Sequence, residues 1–235
     1  MDEEMTTRPR PTWSPFEAIP VGIGAFAGTA LVALVLPLVF DVRTSFVLIG
    51  LAFESLLAGL TLLWIRVRPN ASRAALGLVG RNVGRRLVVG FASGLALFVV
   101  TVFLVAPALY ALLSLLAGDP VVPPRQEVLP EGPSAFHVYL GGVVVVLAAP
   151  IGEELFFRGL LFGGLRRSLP FWAAAVISSA IFAVVHVYLL LMPLLFLVGF
   201  GLAYIYERSD SLVTSIAAHA AFNLVGYLLI VGELA

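Results

Sequence analysis

The chain has 235 residues, of which 60% are apolar and only 12% charged. Soluble domains carry about 25% charged residues, so the composition excludes an ordinary water-soluble globule and describes an integral membrane protein. Fourteen basic residues balance fourteen acidic ones, which offers no electrostatic footing for a nucleic acid or another polyanion. The absence of cysteine excludes disulfides, a thiol nucleophile and any Cys-ligated metal.

The first fifteen residues, "MDEEMTTRPRPTWSP", read as a short polar arm without fixed structure. Residues 16–235 read as one all-α domain, a polytopic bundle of transmembrane helices. A span needs about 20 mostly apolar residues, and that ruler places spans near 18–40, 45–65, 87–106, 136–156, 171–189, 192–206 and 212–232. The expected number is seven, with six or eight as the neighbouring solutions. The first run is longer than a signal-peptide core and ends without a small-x-small cleavage site, so it is read as a retained span. The third run continues past Pro107 to Ala117, which requires a tilted helix kinked at the proline or an interfacial turn after it. Continuous rather than alternating hydrophobicity argues against a β-barrel.

All fourteen basic residues are arginine, and their distribution orients the bundle. Arg8, Arg10, Arg66, Arg68, Arg73, Arg81, Arg85, Arg86, Arg166, Arg167 and Arg208 fall on one side, and Arg43 and Arg125 on the other. Arginine excess marks the cytoplasmic face, so the amino terminus is expected in the cytoplasm of a cell whose plasma membrane holds the protein. The basic connection 66–86 is expected to lie along anionic headgroups. The proline-rich connection 118–134 is expected outside. No internal repeat is visible, so nothing suggests the inverted halves of a transporter.

The informative positions are those where polarity is expensive. A charged side chain at the centre of a span costs about 2.5–3.5 kcal/mol on insertion scales. The carboxyl-terminal half nevertheless carries Glu153, Glu154, Arg158, His186, His219 and Asn223. Glu154 and Arg158 stand one turn apart in the favourable order for an ion pair. Glu153 is turned about 100° away on the same helix, has no cation of its own there, and must face another helix. "FAVVH" puts Phe182 and His186 on one face of the next span; "HAAFN" does the same for His219 and Asn223. Glu54, in the middle of the second span, reads as a packing or hydrogen-bonding residue, and His137 as an ordinary interfacial histidine. Ser178, Ser179, Thr214 and Ser215 read as small residues that allow close helix contact. No Gly-x-Ser-x-Gly elbow supports a serine hydrolase.

Carboxylate, imidazole and amide groups gathered in one pocket suit attack by water on a peptide carbonyl, with a glutamate as general base. A second imidazole and an asparagine amide would stabilise the oxyanion. Two histidines and a carboxylate also form a common zinc set, so a metal held by His186, His219 and Glu153 is the second version of the same chemistry. The rival functions are an ion- or proton-coupled transporter and a catalytically idle membrane scaffold or immunity protein.

In this order, "EELFFR" (153–158), "FAVVH" (182–186) and "HAAFN" (219–223) resemble the three motifs of the CPBP family, the type II CAAX prenyl endopeptidases and bacteriocin-processing intramembrane proteases. The resemblance covers about residues 140–230, where the catalytic core is expected. It implies an intramembrane endopeptidase, often described as a metalloprotease, acting on a membrane-associated peptide or protein, including lipid-modified ones. It further implies that Glu153 and His186 activate water, that His219 and Asn223 form the oxyanion site, and that Glu154, Arg158 and Phe182 support them.

One expectation follows from depth. Counted at 1.5 Å per residue from the arginine-rich ends, Glu153 and His186 lie about 20 and 24 Å in, but His219 only about 12 Å. For the three to meet, the fourth or fifth helix must begin beyond the membrane, giving long helices that project into the cytoplasm around a water-accessible cavity.

Overall fold

The computed structural model describes residues 11–78, 82–122 and 128–233. Arg8, Arg10, Arg81 and Arg125, which contribute to the expected orientation, lie outside the described residues. Among the described residues seven helical stretches follow one another: α1 (Pro15–Leu38), α2 (Val42–Val67), α3 (Val83–Ala117), α4 (Ala135–Arg166), α5 (Phe171–Val185), α6 (Leu189–Ser209) and α7 (Leu212–Gly232). Six are long and apolar enough to cross a membrane, and α5, with 15 residues, is not. The protein is therefore an all-α, multi-pass membrane bundle. Its outer surface is apolar: Phe16, Leu31, Leu34, Phe103, Leu115 and Val187 are all exposed.

Local signals account for the helix ends. Ser14 caps α1, with Glu17 returning a hydrogen bond from Ser14 N. Asp41 accepts the first amides of α2. Gly118 closes α3 at φ 78°. The long third run resolves as one continuous helix rather than a helix followed by a turn. Its seven residues Val99–Val105 widen into a π-helical stretch immediately ahead of Pro107, the place where a proline's missing N–H leaves the ladder open.

The connections carrying Arg66, Arg68, Arg73, Arg85, Arg86, Arg166, Arg167 and Arg208 converge at one end of the bundle, and Arg43 lies at the other, beside Gly132. Arg68 forms a bidentate pair with Glu17 (2.5 and 3.1 Å), and Arg166 donates from Nε and Nη2 to one oxygen of Glu207, Oε1 (3.0 and 2.6 Å). Arg86 donates to Ser211 (3.1 Å), and Arg167 to the Thr12 carbonyl (2.9 Å). Two expectations change here. The connection 66–86 does not simply lie along the surface. Ala75 and Leu76 are buried, Tyr206 donates to the Leu76 carbonyl (2.9 Å), and the Leu212 amide donates to the Gly77 carbonyl (3.0 Å). That loop plugs the base of α6 and α7, because an apolar Ala-Ala-Leu stretch gains more against helices than against water. Nor are residues 11–15 a free arm. Trp13 is fully buried, stacks edge-on against Trp64 at 5.4 Å, and donates from its indole nitrogen to the Leu160 carbonyl (2.9 Å). A large apolar ring with one satisfied donor is worth fixing in place.

The close pair α3–α7 depends on missing side chains. A Cβ at Gly94 would stand 2.0 Å from the Ala218 carbonyl oxygen, and one at Gly90 2.3 Å from that of Thr214. Small residues four apart let two backbones touch in lipid, where van der Waals contact drives association.

Candidate active site

The depth conflict is resolved by unequal helix lengths. α4 has 32 residues, about 48 Å at 1.5 Å per residue, well beyond a hydrocarbon core of about 30 Å. α5 stops after 15 residues and the chain turns back at His186. Val187 turns it, at φ 61°, a left-handed conformation that a β-branched residue rarely adopts. The excess length of α4 carries the start of α5 outward with it, so that Glu153, His186 and His219 meet at one level.

Glu153 sits between the two imidazoles. Its Oε1 is 3.8 Å from His186 Nε2 and its Oε2 is 3.8 Å from His219 Nε2. The other ring nitrogens settle the tautomers. His186 Nδ1 lies 2.7 Å from the Phe182 carbonyl, which can only accept, so Nδ1 carries a hydrogen and Nε2 of the neutral ring is an acceptor. His219 Nδ1 lies 3.1 Å from Glu154 Oε1 and is likewise a donor. Between His186 Nε2 and Glu153 Oε1 two acceptors face each other across a gap too wide for a direct bond. A group with two hydrogens fits beside that line, and water is the smallest one. The His186 side chain is 24% exposed and that of Glu153 12%, against 5% for His219, so the opening lies on the His186 side.

Glu154 has a different environment from its neighbour. It is fully buried and its carboxylate is occupied: Arg158 Nη1 at 3.1 Å and His219 Nδ1 at 3.1 Å meet Oε1, and the Ser215 hydroxyl donates to Oε2. The Arg158 contact is an ion pair without hydrogen-bond alignment. The guanidinium instead donates to the Gly199 carbonyl (3.1 Å) and lies 4.8 Å over the Phe182 ring. Phe182, also buried, touches the His186 ring (4.6 Å) and the His219 ring (6.1 Å). One aromatic ring therefore spaces both histidines and the arginine. The residues after Glu154, Leu155–Phe162, are π-helical, a distortion common at functional sites.

Asn223 joins the site less directly than its spacing suggests. Its amide donates to the Val145 carbonyl (2.9 Å) in the π-helical stretch Val144–Ala148 of α4, not to Glu153 or either histidine. A wide turn disturbs the backbone ladder, and in lipid such carbonyls are satisfied by neighbouring side chains. His137 is structural: its ring bridges Ser134 and Thr44 (2.9 and 3.2 Å) at the start of α4.

Sequence reasoning misses two participants. Ser215 reads as a packing residue, yet it holds Glu154; its position four before His219 in "SIAAH" is the available signal. Glu54 reads as a packing or hydrogen-bonding residue in the middle of the second span, and its carboxyl reaches the backbone beside Glu153: a Cβ on Gly152 would be 2.6 Å from Glu54 Oε2. Zinc fits this arrangement poorly. Among the described residues no group of three His, Asp or Glu side chains is placed to hold a metal ion. Glu153 turns a different oxygen to each imidazole, at 3.8 Å from each Nε2.

Fold and site define a class: multi-pass helical membrane proteins with a carboxylate–imidazole centre assembled from three helices. Residues 135–225 match the family model described as type II CAAX prenyl endopeptidase, Rce1-like, which bears out the resemblance read from the three motifs over the part of the chain that carries them. The chain is 37% identical over 81 residues to "Putative membrane peptidase YdiL" of Bacillus subtilis (strain 168). It is 31% identical over 102 residues to "UPF0177 protein YxdF" of Lactococcus lactis subsp. lactis (strain IL1403). These alignments take in 34% and 43% of this chain, and 33% and 53% of the two relatives. No solved structure matches. The matched family segment contains every motif residue and excludes α1–α3, and with them Glu54.

Proposed function

We propose that the chain is an intramembrane endopeptidase that hydrolyses a peptide bond of a membrane-associated or lipid-modified substrate. One observation carries the reading: a partly open carboxylate, Glu153, stands between two imidazole Nε2 atoms at 3.8 Å each, and the far nitrogen of each ring is tied down.

Water beside Glu153 and His186 donates to both acceptors, which turns its lone pair outward. Glu153 takes the proton as the oxygen attacks the carbonyl carbon. The carbonyl π bond opens to an oxyanion. A hydrogen on His219 Nε2 and the second amide hydrogen of Asn223 would meet that oxygen, a contribution of about 10²–10³ in rate per donor. For that contact His219 must enter the step already as an imidazolium, with hydrogens on both nitrogens, and the buried Glu154 carboxylate compensates its charge. Collapse breaks the C–N bond, and the proton held by Glu153 passes to the leaving amine. Arg158, Ser215 and Phe182 touch no substrate in this scheme; they position Glu154, His219 and His186. No step passes through a metal.

The arginine-rich end is assigned to the cytoplasm of the plasma membrane, with the site open to that side. Because these 235 residues include no cysteine, Ser168→Cys is a clean reporter. An impermeant thiol reagent should label it in inside-out vesicles, and labelling of right-side-out vesicles alone reverses the assignment. For activity, the purified protein in proteoliposomes is given two quenched fluorescent probes, a farnesylated C-a-a-X peptide and an unlipidated membrane-anchored peptide. Cleavage of either that disappears in Glu153→Ala is the expected result; turnover that persists in that variant refutes the mechanism. Elemental analysis with chelation tests zinc. A zinc-free sample should remain active, and activity lost on chelation and restored by zinc removes the metal-free assignment.

A further inference from the structure

Glu54 belongs to α2, outside the segment matched by the family model, and the scheme above leaves it without a task. It is 7% exposed, and its Oε2 has neither solvent contact nor a hydrogen-bond partner. α2 crosses α4 at Gly152, where an added Cβ would lie 2.6 Å from Glu54 Oε2, 2.7 Å from Glu54 O and 3.3 Å from Glu54 Cα. The glycine is what lets this carboxyl lie against the backbone one residue before Glu153. The next residue of α4 after Gly152 is Glu153, whose Oε2 is also buried and without a hydrogen bond. From the elements packed on α2, α1 brings only Glu17, which is held by Arg68 at the far end; α4 brings Glu153, while its Glu154 and Arg158 face each other and Gly199, and its His137 is bonded to Ser134 and Thr44.

A buried carboxylate without a cation is strongly disfavoured, and two carboxylates side by side are more so. A neutral carboxylic acid in the same place has one O–H to donate, and Glu153, the residue of α4 that follows Gly152, carries a buried oxygen that lacks a donor. We propose that Glu54 is a positioning residue of the active site: as a neutral acid it donates a hydrogen bond to Glu153 and holds that carboxylate between His186 and His219. The amino-terminal half then supplies part of the catalytic machinery and is more than a lipid-facing scaffold.

This rests on the proposed peptidase function only for its kinetic arm, so the first test needs no substrate. Infrared spectra of the purified full-length protein should contain the C=O stretch of a protonated carboxyl. The band should vanish in Glu54→Gln and shift in frequency in Glu153→Gln. No such band, or one indifferent to Glu153→Gln, overturns the proposal whatever the protein's activity. In the farnesylated-peptide assay, Glu54→Gln retains a donor and should keep kcat within about threefold. Glu54→Leu, which fills the space without a donor, should lower kcat by about 10–100-fold at unchanged KM, the range for groups that orient a reacting one. Full activity in Glu54→Leu, or equal loss in both variants, contradicts the donor role. If the infrared results hold and no variant, wild type included, cleaves a probe, the peptidase reading fails while the carboxyl pair stands.

Discussion

Helices α1 and α2 and helices α4, α5 and α7 draw on the same apolar residues but use them differently. The α1–α2 contact is made by Gly24 and Gly28 lying under Leu60 and Leu56, with much of α1, including Ile23, Leu31 and Leu34, left for lipid. Apart from the Glu17–Arg68 pair at its end, that contact depends on no particular chemical group. The α4–α5–α7 contact is organised around a buried carboxylate with three partners, and a shift of a fraction of a turn would strand charges in an apolar medium. In lipid, apolar contact holds helices together without choosing a register, whereas a polar network tolerates only one. The exception in the first half is Glu54, and it points into the second.

The largest expected effect separates the halves most sharply. Glu153→Ala or His186→Ala should reduce cleavage by at least about 10²–10⁴, the usual worth of a positioned acid or base, with the thermal unfolding midpoint in detergent nearly unchanged. Next comes stability. Arg158→Leu leaves Glu154 buried without its cation and should destabilise the protein by about 3–5 kcal/mol, whereas the double variant Glu154→Leu, Arg158→Leu should recover much of that. Recovered stability without recovered activity would confirm that the pair serves His219 as well as the fold. Trp13→Ala removes a fully buried ring from the base of α4 and should cost about 3–5 kcal/mol by the same assay; a near-neutral result would make the amino-terminal strap decorative. Gly94→Ala forces α3 from α7 and should cost about 1–3 kcal/mol with partial loss of activity, since α7 carries His219. The smallest change is a gain. Val187→Gly relieves a left-handed valine and should stabilise by about 1–2 kcal/mol, and reduced activity alongside would show that the strain orients His186.

Much of the site is legible in the order of residues. Glu153, Glu154, Arg158, His186 and His219 are each conspicuous because an ionisable side chain in a long apolar run has to find a partner, and spacing in multiples of a turn identifies shared faces. Other features are not legible. "SIAAH" shows Ser215 on the face of His219, but nothing in it says that Glu154 lies opposite. Asn223 shares that face too, and only the π-helical widening of α4 at Val144–Ala148 explains why its amide reaches Val145. The span near 171–189 looks like its neighbours, although it forms only 15 helical residues and ends at His186.

Class, helix content and the short set of residues able to do chemistry are settled by the linear order of apolar and polar residues, because the penalty for stranding a charge in lipid is local and can be read position by position. Where the helices cross is not settled that way. The meeting of Glu54 with Gly152, of Ser215 with Glu154 and of Trp13 with Leu160 joins residues 61 to 147 positions apart. It depends on the relative lengths, widened turns and close approaches of whole helices, which no stretch of one helix encodes.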